Sequence, residues 1–273
     1  MVKGRSGRVG AMGDSLPELV IGIPSVARPT NYLLATLTSL WERTSAAEKA
    51  RFRVVVFNAD VPAAQNEEAQ AIAEAFPKAV ESGTIEVVSR AEPHPELERP
   101  EGLSSELGCD PARLQWRAKQ VLDAAWLMNY CAPLAPWYLH LEDDVEAAEG
   151  CVARMLEWIE QRRLLGRPFA QRTDWLMISF ATPFGVRWDG RRISPRRYGG
   201  FVGHLFRSTN LGELAAYLRA NFEREPLDWL VGGYAAETGL AIRGARGALF
   251  QHIGDVSSLD GKRSTVRVPG FRG

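Results

Sequence analysis

The sequence predicts an α/β fold built on a parallel sheet, with a ligand crevice beyond the carboxyl ends of its strands. Three observations carry this. Short apolar runs alternate with stretches of helical periodicity over residues 19–88. Asp110-Pro111 then opens a long helical stretch. Finally, the apolar run Trp137-Tyr138-Leu139-His140-Leu141 delivers three consecutive acids, Glu142, Asp143 and Asp144, before Val145. A β-α-β-α-β order requires parallel strands joined by right-handed crossovers, and such sheets take ligands at the strand ends.

Leu19-Val20-Ile21-Gly22-Ile23-Pro24 is an apolar run stopped by proline, read as a buried first strand. Leu33, Leu37, Leu40 and Trp41 fall on one face of a helix expected to start near Thr30. Arg53 to Asn58 reads as a second buried strand, Asn66 to Val80 as one helix, and Thr84 to Val88 as a third strand. Residues 90–108 hold prolines and glycines and read as a long loop. Asp110 is suited to an N-cap and Pro111 to the first helical position, for a helix reaching about Asn129. The strand at 137–141 follows, then a helix at about 150–163 and a strand from Trp175 to Phe180. Residues 181–200 break regularity and carry Arg187, Arg191, Arg192, Arg196 and Arg197. Leu211 to Phe222 reads as helix and Ala248 to His252 as a last strand.

Composition bounds the partners. In 273 residues, 33 basic and 33 acidic side chains cancel, so bulk nucleic-acid binding is not expected. Cys109, Cys131 and Cys151 are odd in number and lack C-x-x-C spacing, which suits a reducing compartment rather than a disulfide framework. Residues 1–17 are expected to be a flexible lead-in without a signal peptide, 18–263 a catalytic domain and 264–273 a tail. No run is long enough to span a membrane, so the expected address is cytoplasmic.

The acid triplet is the strongest chemical signal. Three carboxylates at the tip of a buried strand repel one another, and charges buried unpaired are costly. A hard divalent cation resolves this and leaves room for phosphates; the competing view is a solvated acidic loop. His252 ends another apolar run and is a candidate further ligand, or simply a structural histidine. Ser257-Ser258-Leu259-Asp260-Gly261-Lys262 has the composition of a phosphate clasp, or of a solvated tail. Asp228, after Glu225-Pro226-Leu227, reads by spacing as a helix N-cap and alternatively as a general base. The first strand carries no G-x-G-x-x-G and the chain no Walker A spacing, which argues against a dinucleotide enzyme or ATPase.

Assembled in order, these residues resemble the N-acetylglucosaminyltransferase IV family. The resemblance rests on Ile21-Gly22-Ile23-Pro24-Ser25-Val26, Gln115-Trp116-Arg117-Ala118-Lys119-Gln120 with Leu122-Asp123, and Leu141-Glu142-Asp143-Asp144. It continues through Gly200-Phe201-Val202-Gly203, Pro226-Leu227-Asp228-Trp229-Leu230, Phe250-Gln251-His252-Ile253-Gly254 and Ser257 to Lys262. It covers about residues 19–262 and implies a GT-A glycosyltransferase fold, with a Rossmann-like donor-binding half and an acceptor-binding half. The implied reaction is a metal-dependent, inverting transfer of N-acetylglucosamine from UDP-GlcNAc to a glycan hydroxyl, with Mn²⁺ or Mg²⁺. By resemblance, Asp144 and His252 bind the metal, and Glu142 and Asp143 contact the donor's ribose and sugar. Pro24, Ser25, Asn58, Arg117 and Lys119 hold the nucleotide, Ser258 and Lys262 close over the diphosphate, and Asp228 is the base. The family's larger animal members add a membrane anchor and a lectin-like domain. This chain is expected to be a minimal soluble homologue without them.

Two other readings compete. A sugar-nucleotide pyrophosphorylase would need a glycine-rich basic signature near the first strand, which Gly22-Ile23-Pro24 does not supply. A sugar-nucleotide-binding module without turnover would have little use for Asp144, Asp228 and His252 together. The five arginines between 187 and 197 concentrate positive charge, which leads to the expectation of an anionic glycan acceptor, against the alternative of a solvated loop.

Overall fold

Strand β1 (Leu19–Ser25) is buried on both faces, which is why its sequence is an unbroken apolar run rather than an alternating one. The computed structural model describes residues 16–98, 102–105, 107–164, 166–181, 192–193, 200–245, 247–256, 268 and 270–273, with the backbone alone at 163–164 and 192–193. Helix α1 (Leu33–Glu42) follows, and its Leu33, Leu37 and Leu40 are each 1% exposed. Burial of each contributes roughly 1.5–3 kcal/mol. The short α2 (Ala46–Lys49) is fixed by a capping box between Ser45 and Glu48.

Strand β2 (Phe52–Asn58) pairs parallel with β1. The single helix expected over 66–80 is instead two, α3 (Glu67–Ala75) and α4 (Pro77–Glu81). Pro77 has no N–H for the ladder, so it ends the first helix and opens the second. Strand β3 (Ile85–Ser89) completes the parallel β3-β2-β1 order. Helix α5 (Pro111–Cys131) starts as expected: the Asp110 side chain accepts from the Arg113 N–H at 3.0 Å and Pro111 takes the first position.

Strand β4 (Trp137–Leu141) lies parallel to β1 on its other side, so the strand order reverses between them. Gly22 permits this closeness, because a Cβ there would lie 2.6 Å from the Tyr138 ring. The acids then lead into β5 (Val145–Ala147), α6 (Cys151–Gln161), a β6–β7 hairpin (Arg163–Leu164 and Arg167–Pro168) and β8 (Trp175–Ser179). The further helices and strands among the described residues are β9 (Arg192–Ile193), β10 (Gly203–Arg207), α7 (Leu211–Asn221), α8 (Leu227–Thr238), β11 (Ala241–Gly244) and β12 (Phe250–His252).

The main sheet has the order β3-β2-β1-β4-β10-β8-β11-β9. Its strands run mostly one way, with β10 and β9 reversed. Cores lie on both faces: α1, α3 and α6 pack with Ile21, Val54 and Leu139, while α5, α7 and α8 pack with Val20, Val55 and Phe206. The arrangement is α/β with a mostly parallel central sheet. Among the described residues no helix is long and apolar enough to cross a membrane.

Candidate metal and nucleotide site

The reversal of strand order between β1 and β4 opens a crevice at their carboxyl ends, and a cavity of about 660 Å³ lies there. Pro24 and Ser25 from the end of β1, Glu142, Asp143 and Asp144 from the turn after β4, and His252 from β12 all line it. Lys119 lines it too, from α5. Seven of the sequence-predicted residues thus converge from four separate places in the fold.

The convergence has a local cause. Strands β5 and β12 form a two-stranded antiparallel pair in which His252 lies opposite Val145. This register sets the imidazole beside Asp144: His252 Nε2 is 3.4 Å from Asp144 Oδ2. The Ile253 N–H donates to the Asp144 carbonyl at 2.8 Å, and Gly254 passes so close that a Cβ would sit 2.2 Å from Asp144 Oδ2. Helix α1 pins the turn from beneath. Thr36 Oγ1 donates to the Asp143 carbonyl at 2.8 Å and accepts from the Val145 N–H at 2.9 Å.

One ligand atom each from Glu142, Asp144 and His252 lies within 4.8 Å of the others. Arg28, in the loop after β1, adds a charge that sequence reasoning missed. Its guanidinium is hydrogen-bonded to Asp143 Oδ1, and its Nη1 is 3.0 Å from Asp144 Oδ2. Burial pushes Asp144 upward, but His252 and Arg28 outweigh it and hold the carboxyl below its usual range. Burial and the neighbouring Asp144 push Glu142 well up. Burial likewise raises Asp143, with Arg28 opposing. Burial lowers His252, yet Asp144 more than compensates and its affinity for a proton rises. Three carboxyls, an imidazole and a guanidinium thus share one corner of the cavity, and three of these groups offer ligand atoms to a cation.

The other predicted residues are placed differently. Asn58 is buried and donates to the Ala63 carbonyl at 2.7 Å; its neighbours Ala59 and Asp60 line the cavity instead. Arg117 does not line the cavity. Its Nη2 donates to Ser105 Oγ at 2.8 Å and to the Glu223 carbonyl at 2.9 Å, tying α5 to a loop and to the segment between α7 and α8. Lys119 donates to Asp123 at 2.6 Å, and the second oxygen of that carboxylate meets His94 Nε2 at 2.8 Å. Asp228 is not the N-cap that spacing favours. Pro226 holds that position and Asp228 lies in the first turn of α8, where its Oδ2 accepts from the Gly200 N–H at 2.9 Å. Leu227 beside it lines the cavity. Ser258, Lys262 and the arginines at 187, 191, 196 and 197 lie outside the described residues, and of Arg192 only the backbone is described.

A family model for the MGAT4 conserved region matches residues 6–188, more than half of the chain and every acid of the triplet. The chain belongs to the MGAT4 family. Relatives in this family include a mouse alpha-1,3-mannosyl-glycoprotein 4-beta-N-acetylglucosaminyltransferase B, 30% identical over 97% of this chain and 46% of its own length. A pig alpha-1,3-mannosyl-glycoprotein 4-beta-N-acetylglucosaminyltransferase C is 30% identical over 93% of this chain and 48% of its own length. A chicken protein named alpha-1,6-mannosyl-glycoprotein 4-beta-N-acetylglucosaminyltransferase is 28% identical over 91% of this chain and 49% of its own. This MGAT4 family member spans about half the length of the curated relatives it matches.

Some of the missed residues left a signal. Thr36 is a polar position on the apolar stripe Leu33-Thr36-Leu37-Leu40, and a polar group there must have a buried partner. His140 sits inside β4 with Tyr138 Oη 2.8 Å from its Nδ1, and lines the cavity floor. Arg28 left no periodic signal, because loops carry none.

Proposed function

We propose that this chain is a metal-dependent, inverting glycosyltransferase of GT-A architecture that moves N-acetylglucosamine from UDP-GlcNAc to a mannose-bearing glycan. The observation that carries the reading is the meeting of Glu142, Asp144 and His252 within 4.8 Å inside one cavity. The parallel β3-β2-β1-β4 order followed by the reversed β10 supports the GT-A architecture. The names of the relatives support the transferred sugar. Those names include both alpha-1,3- and alpha-1,6-mannosyl acceptors, so the branch is left open in the proposal.

The donor set fits a divalent ion. Two carboxylates and an imidazole suit Mn²⁺ better than an all-oxygen Ca²⁺ site, with Mg²⁺ the second choice. A glycine at 254 leaves room for the Asp144 carboxylate, since a Cβ there would lie 2.2 Å from Oδ2. When bound, the ion neutralises the charge that develops on the leaving diphosphate. In this reading Asp144 and His252 hold it, and Glu142 joins them or faces the donor's sugar. Pro24, Ser25 and Lys119 wall the nucleotide. Asp143, hydrogen-bonded to Arg28, orients the donor end of the cavity. Asn58 and Arg117 act by fixing the β2 loop and α5. Ser258 and Lys262 keep the diphosphate-closing roles the resemblance gives them. Asp228 accepts the proton of the attacking acceptor hydroxyl, opposite the leaving group, as inverting displacement requires.

The test is UDP release from UDP-GlcNAc, with and without a mannosylated acceptor, in Mn²⁺ and in EDTA. Turnover should need the ion and be abolished in Asp144→Ala. Full activity in EDTA, or pyrophosphate as the product, would overturn the reading.

A further inference from the structure

Arg28 is bound where a divalent ion would have to act. Its guanidinium spans Asp143 and Asp144, with Nη1 3.0 Å from Asp144 Oδ2, the same oxygen that faces His252. Elsewhere, among the described residues, its Nε is buried without a hydrogen-bond partner, and its Cζ lies 5.9 Å from the centroid of the Tyr32 ring. A guanidinium bonded to two acids, with its Nε–H still unused, is a counter-ion that can be exchanged.

We propose that Arg28 is the resident counter-cation of the Asp143–Asp144 pair, competes with the divalent ion for it, and is drawn off by the diphosphate of the nucleotide. Arg28 thereby couples the two ligands. This positioning role rests on the metal and donor reading above. The physical ground is charge balance. While Arg28 neutralises the pair, an entering dication must displace a guanidinium as well as shed water, so it binds weakly alone. Once a diphosphate is present, the guanidinium has anionic oxygens that match its fork, including the unused Nε–H. The acids are then released, and each ligand strengthens the other by the same factor.

The tests use the full chain stripped of divalent ions, with Mn²⁺ and UDP as the calorimetric probes. In the wild type, saturating UDP should tighten Mn²⁺ binding about tenfold or more. Arg28→Gln should bind Mn²⁺ alone about tenfold more tightly than wild type, and bind UDP in saturating Mn²⁺ about tenfold more weakly. Effects of opposite sign on the two ligands are something a merely structural role would not produce. Arg28→Lys, which keeps the charge but loses the fork, should bind Mn²⁺ alone as the wild type does. The proposal is overturned if Arg28→Gln weakens both ligands together or leaves Mn²⁺ affinity unchanged. Absence of coupling in the wild type overturns it without any variant. If UDP binding depends on Asp144 but ignores Arg28, only this inference fails; if the wild type binds no UDP at any Mn²⁺ concentration, the donor reading fails with it.

Discussion

Asp144 is confined from three sides at the residue scale, and its position is set by what its neighbours lack as much as by what they carry. Gly254 is the clearest case: the first carbon of any side chain there would overlap the carboxylate at 2.2 Å. Gly254→Ala should therefore displace Asp144 and weaken Mn²⁺-dependent UDP binding about tenfold or more while the fold survives, as read by calorimetry alongside a melting curve. Asp228 is tested by Asp228→Asn, which keeps size and the acceptor oxygen for the Gly200 N–H. Donor affinity should hold while turnover falls ~10²-fold or more. Wild-type turnover in that variant would remove Asp228 from the chemistry.

At the scale of elements, α1 serves the site although no part of its sequence suggests chemistry. Thr36 replaces two backbone partners at once, so Thr36→Val keeps shape but leaves the Asp143 carbonyl and Val145 N–H buried and unpaired. A loss of about 2–6 kcal/mol in urea unfolding is expected, at about 1–3 for each orphaned group. A loss under 1 kcal/mol would mean the turn holds itself. The same scale explains what was legible in the sequence. β1, β2 and β4 are buried on both faces and announce themselves as apolar runs, and α5 announces its start through Asp110-Pro111. β5 and β12 are three residues each, and their pairing is a contact between distant segments that periodicity cannot encode. β10, with His204 and Arg207 among its five residues, does not read as a strand, yet it lies in the middle of the sheet. For the site, the acids and His252 were legible by residue type. Arg28 and Gly254 were not, because their roles are defined by neighbours in space, and Thr36 showed only as a polar break in the apolar stripe of α1.

For the whole molecule, two buried histidines tie stability to acidity. Burial pushes His140 and His204 down to about 3, so both stay neutral in the folded protein. In the unfolded chain each takes a proton near pH 6.5. Their contribution is therefore complete above that pH and is lost as acidity moves from there toward pH 3. At pH 5 each ring costs about 2 kcal/mol of stability. Glu142 and Asp143, raised by burial, act in the opposite sense, so the comparison must be between proteins. His204→Gln should lose about 2 kcal/mol less than wild type between pH 7 and pH 5; equal losses would show that His204 titrates freely in the fold. The arginines at 187, 191, 192, 196 and 197 raise the question of an anionic acceptor by charge alone. If they bind an anionic glycan, replacing Arg191, Arg192, Arg196 and Arg197 with Ser should raise the acceptor KM, leave donor hydrolysis unchanged, and act less at high salt. An efficient neutral acceptor indifferent to both would exclude that role.

The pairing of β5 with β12 also has a temporal meaning. Asp144 and His252 are separated by more than a hundred residues, and a ribosome adding ~5–20 residues per second makes the first on the order of ten seconds before the second. Throughout that interval Arg28 is already synthesised and His252 is not. The basic partner of the acids is thus made before them, and the imidazole joins them only when β12 closes against β5.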